Sequence, residues 1–148
     1  MATLAYKGYT QALTNVLTTE LNTLTNNSYC TAGGAVDNTT NLDLFADFQC
    51  NVTFGTAPTT GTTLDLFLVP SLDGTNYADG GGAVAPSSAY FVGSFIVRNV
   101  NTTQVISILG VRLFPGKFKP VLLNNGTGQS TAASGNTVAF RSYSITVA

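Results

Sequence analysis

Apolar and polar positions alternate over residues 42–54: Leu42, Leu44, Ala46, Phe48, Cys50, Val52 and Phe54 share one parity, and Asp43, Phe45, Asp47, Gln49, Asn51 and Thr53 the other. A period of two sustained this long predicts a strand with one face on a core and the other mostly in water. The pattern recurs. Leu64, Leu66 and Leu68 alternate with Asp65, Phe67 and Val69 up to Pro70, and the apolar character of both faces in its second half suits a central or covered strand. Residues 90–98 put Phe91, Phe95 and Val97 on one side and Val92 and Ile96 on the other. Residues 104–109 and 111–114 read as strand on either side of Gly110, where the missing Cβ lets a sheet bulge or bend. Residues 117–123 follow a compact Pro115-Gly116 turn. The last strand, 137–147, changes phase between Phe140 and Tyr143, which predicts a bulge or a switch of faces.

Only one segment departs from this rhythm. Leu13, Val16, Leu17, Leu21 and Leu24 recur at three and four over residues 10–25, the spacing of a helix face, while Thr14, Thr18, Thr19 and Thr23 oppose it because β-branched side chains lose rotamer freedom in a helix. Residues 1–9 read as a loose arm or an added edge strand. Asn26, Asn27 and Ser28 end the helical segment, and residues 29–36 run extended to a polar turn at 37–41. Residues 55–63 form a turn marked by Pro58 and Gly61, and 124–136 a polar loop. The stretch 71–88 is the longest irregular one, and loops above about 15 residues are uncommon unless they bind something or move.

Strands joined by polar turns, with no strand-helix-strand rhythm, predict an all-β, antiparallel two-sheet β-sandwich over residues 29–148, preceded by an N-terminal arm with a possible short helix over 1–28. Connection order separates a jelly roll from an immunoglobulin-like sandwich and is not written in these patterns. The jelly roll is favoured because the chain has no Trp and no widely spaced Cys pair around one.

Length adds that one domain of 148 residues makes a core without metal or disulfide. Charged residues are only 9% of the chain, and Thr, Asn, Ser and Gly supply the remaining polarity. Six Lys or Arg against seven Asp or Glu create no field for a phosphate backbone, so nucleic acid is not an expected partner. No apolar run reaches the roughly 20 residues of a membrane helix, so no membrane partner is expected. Residues 1–10 lack the basic and apolar regions of a signal peptide, which disfavours secretion by that route and favours Cys30 and Cys50 as buried thiols over a disulfide. Asn-x-Ser/Thr sequons begin at Asn26, Asn38, Asn51, Asn101 and Asn125; a chain this rich in Asn and Thr produces them by chance.

Candidate chemistry is sparse. The chain has no histidine, which removes the usual base near neutral pH and the commonest metal ligand. Asp43 and Asp47 lie about 13 Å apart along an extended strand, against the roughly 5–9.5 Å that a glycosidase pair needs, and read as solubilising residues on an exposed face. Asp73, Asn76 and Asp79 offer oxygen ligands, yet their spacing matches no calcium loop and Asp73-Gly74 is explained by a turn. Gly80, Gly81 and Gly82 lack the ending of a phosphate loop. No enzyme activity and no cofactor is expected. Surface candidates remain: Tyr6 and Tyr9 in the arm; Phe45, covered by residues 10–25 or exposed at a contact; Asn76 and Tyr77 in the long loop; and Lys117 and Lys119 on one face of their strand, there to meet an acidic partner or to discourage edge pairing.

From Leu24 onward the chain resembles a group of small tailed-bacteriophage virion proteins, most plainly in AVDNTTNLDLFADFQCNVTFG (35–55), LDLFLVPSLDGTNYADG (64–80), FPGKFKPVLLNNG (114–126) and AASGNTVAF (132–140). That group is similar to the sandwich-fold decoration, or cement, proteins of phage heads. The resemblance implies a non-enzymatic protein assembled in the bacterial cytoplasm and bound to the outer surface of the capsid. There a homotrimer over threefold positions would contact the major capsid protein and tie capsomers together, each contact needing modest energy because the lattice repeats it. It also implies an arm crossing to a neighbouring subunit. The alternative is a tail, neck or fibre module, which binds a host glycan through Tyr77 and Asn76.

Overall fold

The computed structural model describes residues 2–147. Its strands are β1 (Leu4–Tyr6), β2 (Thr14–Leu17), β3 (Val36–Asp37), β4 (Phe45–Val52), β5 (Thr63–Ser71), β6 (Phe91–Ile96), β7 (Gln104–Arg112), β8 (Lys117–Asn125), β9 (Thr137–Tyr143) and β10 (Ile145–Val147). One sheet has the order β2-β9-β4-β7, the other β3-β8-β5-β6, and β1 and β10 form a separate ribbon. All pairings are antiparallel. β1 pairs with β10, β2 with β9, β3 with β8, β4 with β7 and β5 with β6. The chain is therefore one long hairpin, folded over itself into two sheets that β4–β9 and β5–β8 pairing complete. That is the jelly-roll order, and the all-β sandwich expected from the alternation is present.

The core lies between the sheets. Ala46, Phe48, Cys50 and Val52 of β4, with Val138 and Phe140 beside them on β9, face Leu64 and Leu66 of β5, Phe95 of β6, and Phe118 and Leu122 of β8 within one buried cluster. Phe48 stacks on Phe140 with ring centroids 5.7 Å apart. Burial of a side chain this size stabilises the fold by about 1.5–3 kcal/mol. Cys30 and Cys50 are free and buried, and burial pushes their thiols up to about 11 and about 12.

Three local readings change. The helix expected over 10–25 is β2 followed by a single 3-10 turn at Thr19–Leu21. Leu17, Leu21 and Leu24 are buried as the spacing implied, while Leu13 is exposed. Pairing with β9 satisfies the backbone of the Thr-rich stretch in an extended form that threonine also prefers. The alternation from Ala46 onward is correct, but the strand begins at Phe45 because Leu42 has φ +50°. This reverses the parity ahead of it: Leu42 and Leu44 are exposed and Asp43 is buried at 3% exposure, so Asp43 is no solubilising residue. Finally, β5 continues through Pro70 to Ser71, with Pro70 opposite Phe118.

The expected irregularities at Gly110 and after Phe140 are there. Ala46 pairs with Val111 and Phe48 with Ile108, so Leu109 and Gly110 bulge opposite Asp47, and Gly110 has φ +68°. β9 stops at Tyr143 and β10 leaves the sheet to pair with β1. The 71–88 stretch is held by local bonds. The Asp73 carboxylate accepts from the backbone N–H of Thr75 (2.8 Å) and Asn76 (2.7 Å) and from the Asn76 amide (2.8 Å). The Gly82 N–H donates to the Cys30 carbonyl at 2.7 Å.

Candidate functional site

The outer face of the first sheet gathers an aromatic group that begins with strand register. Phe45 of β4 lies opposite Tyr143 of β9, and Asp47 opposite Arg141, so these four side chains share one face. Phe45 and Tyr143 stack at 5.7 Å. Phe45 is half-buried and has this β9 tyrosine as its stacking partner.

The arm then crosses this platform. Lys7 N–H donates to the Ser144 carbonyl (2.8 Å) and Thr10 N–H to that of Ser142 (2.9 Å), which fixes the arm along β9. Tyr6 and Tyr9 both meet Tyr143 edge-on at 5.8 Å. The Arg141 guanidinium sits 4.2 Å from the Tyr9 ring centre. Tyr9 O–H donates to Asp47 Oδ2 at 2.7 Å, and the bulged Gly110 N–H donates to Asp47 Oδ1 at 2.8 Å. Its bond to Asp47, and then the charge of that carboxylate, raise the Tyr9 hydroxyl above its ordinary value; desolvation, then the Asp47 charge, raise that of Tyr143. Tyr9 therefore stays a neutral donor. An open cavity of about 300 Å³ is lined by Tyr6, Lys7, Tyr9, Asp47 and Tyr143. A smaller one of about 220 Å³ continues past Tyr9 to Gln49, Leu109 and Arg141.

Beneath the arm, Asp43 accepts from the hydroxyls of Thr10, Ser142 (2.6 Å) and Ser144 (3.2 Å). Its own backbone N–H and C=O bond the Asn38 side chain, each at 2.9 Å. This buried polar knot joins the arm, β9 and the start of β4, and so holds the platform's geometry.

A second depression lies at the same end of the sandwich on the other sheet. β7 ends at Arg112 opposite Phe45, and the turn after it leads into Lys117 opposite Ser71. A mostly apolar notch of about 450 Å³ sits there, lined by Pro70, Leu72, Asp73, Tyr77, Ala78 and Tyr90 together with Asn76. Lys119 Nζ lies 4.4 Å from the Tyr77 ring centre. Asn76 bonds Asp73, whose carboxyl is held well below the ordinary range by the Asn76 amide and then by the N–H groups of Asn76 and Thr75. Lys117 belongs to neither depression and pairs with Asp37 at 3.7 Å.

Of the residues singled out from sequence, Tyr6, Tyr9 and Phe45 thus meet on the first sheet, and Asn76, Tyr77 and Lys119 around the notch. Tyr143 and Arg141 were missed, and Asp47 was read as solubilising. Tyr143 carried one signal, the phase change beside it. Among the described residues no group of three or more His, Cys, Asp or Glu side chains gathers to hold a metal ion. The arrangement is that of a β-sandwich module with an aromatic platform on one sheet and a mostly apolar notch by the other.

No family model matches the chain, and no curated protein matches it. Two solved structures are similar at low scores. A family 6 carbohydrate-binding module from Clostridium cellulolyticum, in complex with xylose, has a TM-score of 0.40 at 16% identity, over 97% of this chain and 96% of that one. The N-terminal cellulose-binding domain of Cellulomonas fimi β-1,4-glucanase C has a TM-score of 0.29 at 9% identity, over 98% and 88% of the two chains. Likenesses this weak carry no functional argument.

Proposed function

We propose that the chain is a non-enzymatic module of a tailed-phage particle that binds host-envelope carbohydrate through the Tyr9–Asp47–Tyr143 face. The setting comes from the sequence resemblance to phage virion proteins. The observation that carries the binding reading is the open cavity lined by Tyr6, Tyr9, Asp47 and Tyr143, with Phe45 stacked on Tyr143 and Arg141 against Tyr9 at its border. A sugar ring has weakly apolar C–H faces and a rim of hydroxyls. Amphipathic aromatic rings fit the faces, and a few fixed carboxylate, guanidinium and amide groups fit the rim. Tyr77 and Asn76 suit a sugar less well, since the notch around them is mostly apolar, with Pro70, Leu72 and Ala78 in its wall, and offers few groups to a hydroxyl rim.

The test is titration of the purified chain with envelope polysaccharide fragments, followed by NMR shifts. Saturable binding is expected, with shifts at Tyr9 and Tyr143 and at least tenfold weakening in Tyr143→Ala, equivalent to about 1.4 kcal/mol or more. Tyr77→Ala is expected to bind as the parent does. Binding unaffected by Tyr143→Ala, or none with any envelope glycan, refutes the reading.

A second reading, capsid decoration over the major capsid protein, is favoured by one different observation. Phe91 and Ile96 of β6 and Val105 and Leu109 of β7 are exposed apolar residues on two neighbouring edge strands of a weakly charged surface. Imaging of intact particles separates the two readings: density over the head lattice supports decoration, and density on the tail alone excludes it.

A further inference from the structure

The two-stranded ribbon is built as a contact element. Its register sets Leu4 opposite Val147 and Tyr6 opposite Ile145, and a period of two puts all four on one ribbon face. They are 74%, 65%, 78% and 39% exposed, respectively. An isolated two-stranded hairpin is marginal in water, and an apolar face left open on one marks a missing partner. The opposite sheet supplies a matching surface at the same end: the Pro70–Leu72–Tyr90 notch, where Leu72 is 88% exposed.

One charge pair is available, beside Lys119, which already stands over the Tyr77 ring. Lys7 follows Tyr6 and is exposed; Asp73 lines the notch, and Asp79, also exposed, follows Ala78 of its wall. Neither Lys7 nor Asp79 has an ion-pair partner among the described residues. We propose that the β1–β10 ribbon of one copy seats in the Tyr77–Tyr90 notch of a second copy, apolar face inward and Lys7 toward Asp79. Donor and acceptor lie on opposite sheets of one end, so the contact is between unlike patches, and repetition of it by rotation closes a ring. Each joint is small, and closure lets several hold together. This contact does not rest on the carbohydrate reading; because Tyr6 and Lys7 also line the cavity on the first sheet, association and sugar binding compete for them.

The experiment measures mass by sedimentation and light scattering on the full chain over a concentration series, with circular dichroism confirming the fold of each variant. The parent is expected to form a closed oligomer. Lys7→Glu and Asp79→Lys are each expected to weaken association about tenfold, and the double reversal to restore most of it. Leu72→Ser, which removes the exposed apolar anchor without touching the sandwich core, is expected to dissociate the oligomer. A parent that stays monomeric into the high micromolar range overturns the proposal. So does an oligomer indifferent to both reversals and to Leu72→Ser. Glycan titration of the dissociated Leu72→Ser variant reads the carbohydrate proposal separately, because Leu72 lines the notch and not the cavity on the first sheet.

Discussion

Replacing Asp43 with alanine tests the idea that a buried carboxylate organises the arm and the platform above it. Asp43 is 3% exposed and accepts three hydroxyls, from Thr10, Ser142 and Ser144. Hydrogen bonds to a charged acceptor contribute about 1.5–3 kcal/mol each, so simple addition gives a loss of roughly 6 kcal/mol. The hydroxyls can re-pair, however: Thr10 Oγ1 lies 3.1 Å from Ser142 Oγ and 3.2 Å from the Ser142 carbonyl. The desolvation cost of the carboxylate also disappears with it. The net expectation is about 3 kcal/mol, or a fall in Tm of roughly 10 °C for a domain this size. Asp43→Asn keeps an acceptor and is expected to cost about 1 kcal/mol. Urea unfolding with an unchanged m-value measures both, and hydrogen exchange at the Lys7 and Thr10 amides reports whether the arm loosens before the sandwich. Alanine within 0.5 kcal/mol of the parent, or full protection of the Thr10 amide in that variant, would refute the reasoning.

Gly110→Val places a β-branched residue at φ +68° in the bulge that donates to Asp47; about 1–2 kcal/mol of destabilisation is expected in chemical denaturation, together with Tyr9 resonance shifts. Asp73 has its folded carboxyl below the ordinary 3.8, so its contribution is complete above that value and is lost as pH falls toward the depressed one. Amide exchange at Thr75 and Asn76 on an acid titration should follow that direction, and Asp73→Asn should flatten it. The buried thiols of Cys30 and Cys50, raised to about 11 and about 12, are expected not to react with a thiol reagent until the chain unfolds, and reductant should leave Tm unchanged.

How far the sequence carried depended on whether a feature was local. Alternation found the buried parity of β4 from Ala46 to Val52, and a lone glycine marked the bulge at Gly110, since both depend on the residue and its immediate neighbours. Residues 10–25 misled because strand and 3-10 turn together imitate helical spacing, and pairing with β9, more than a hundred positions away in sequence, decides between them. Leu42 and Leu44 misled for a related reason. The left-handed turn at Leu42 exists because the Asn38 side chain bonds the Asp43 backbone and donates to the Phe114 carbonyl, a tertiary arrangement that no period reports.

By itself, then, the sequence determined an all-β antiparallel chain of weak charge, buried thiols and no imidazole, because hydrophobic parity and composition are properties of the chain at short range. The tertiary structure decided which side chains meet. Only the fold-back of one long hairpin sets Phe45 beside Tyr143 and Asp47 beside Arg141, and lays Tyr9 across them from the other end of the chain. Register across strands is a long-range quantity, and the aromatic platform and the apolar ribbon face both exist through register alone.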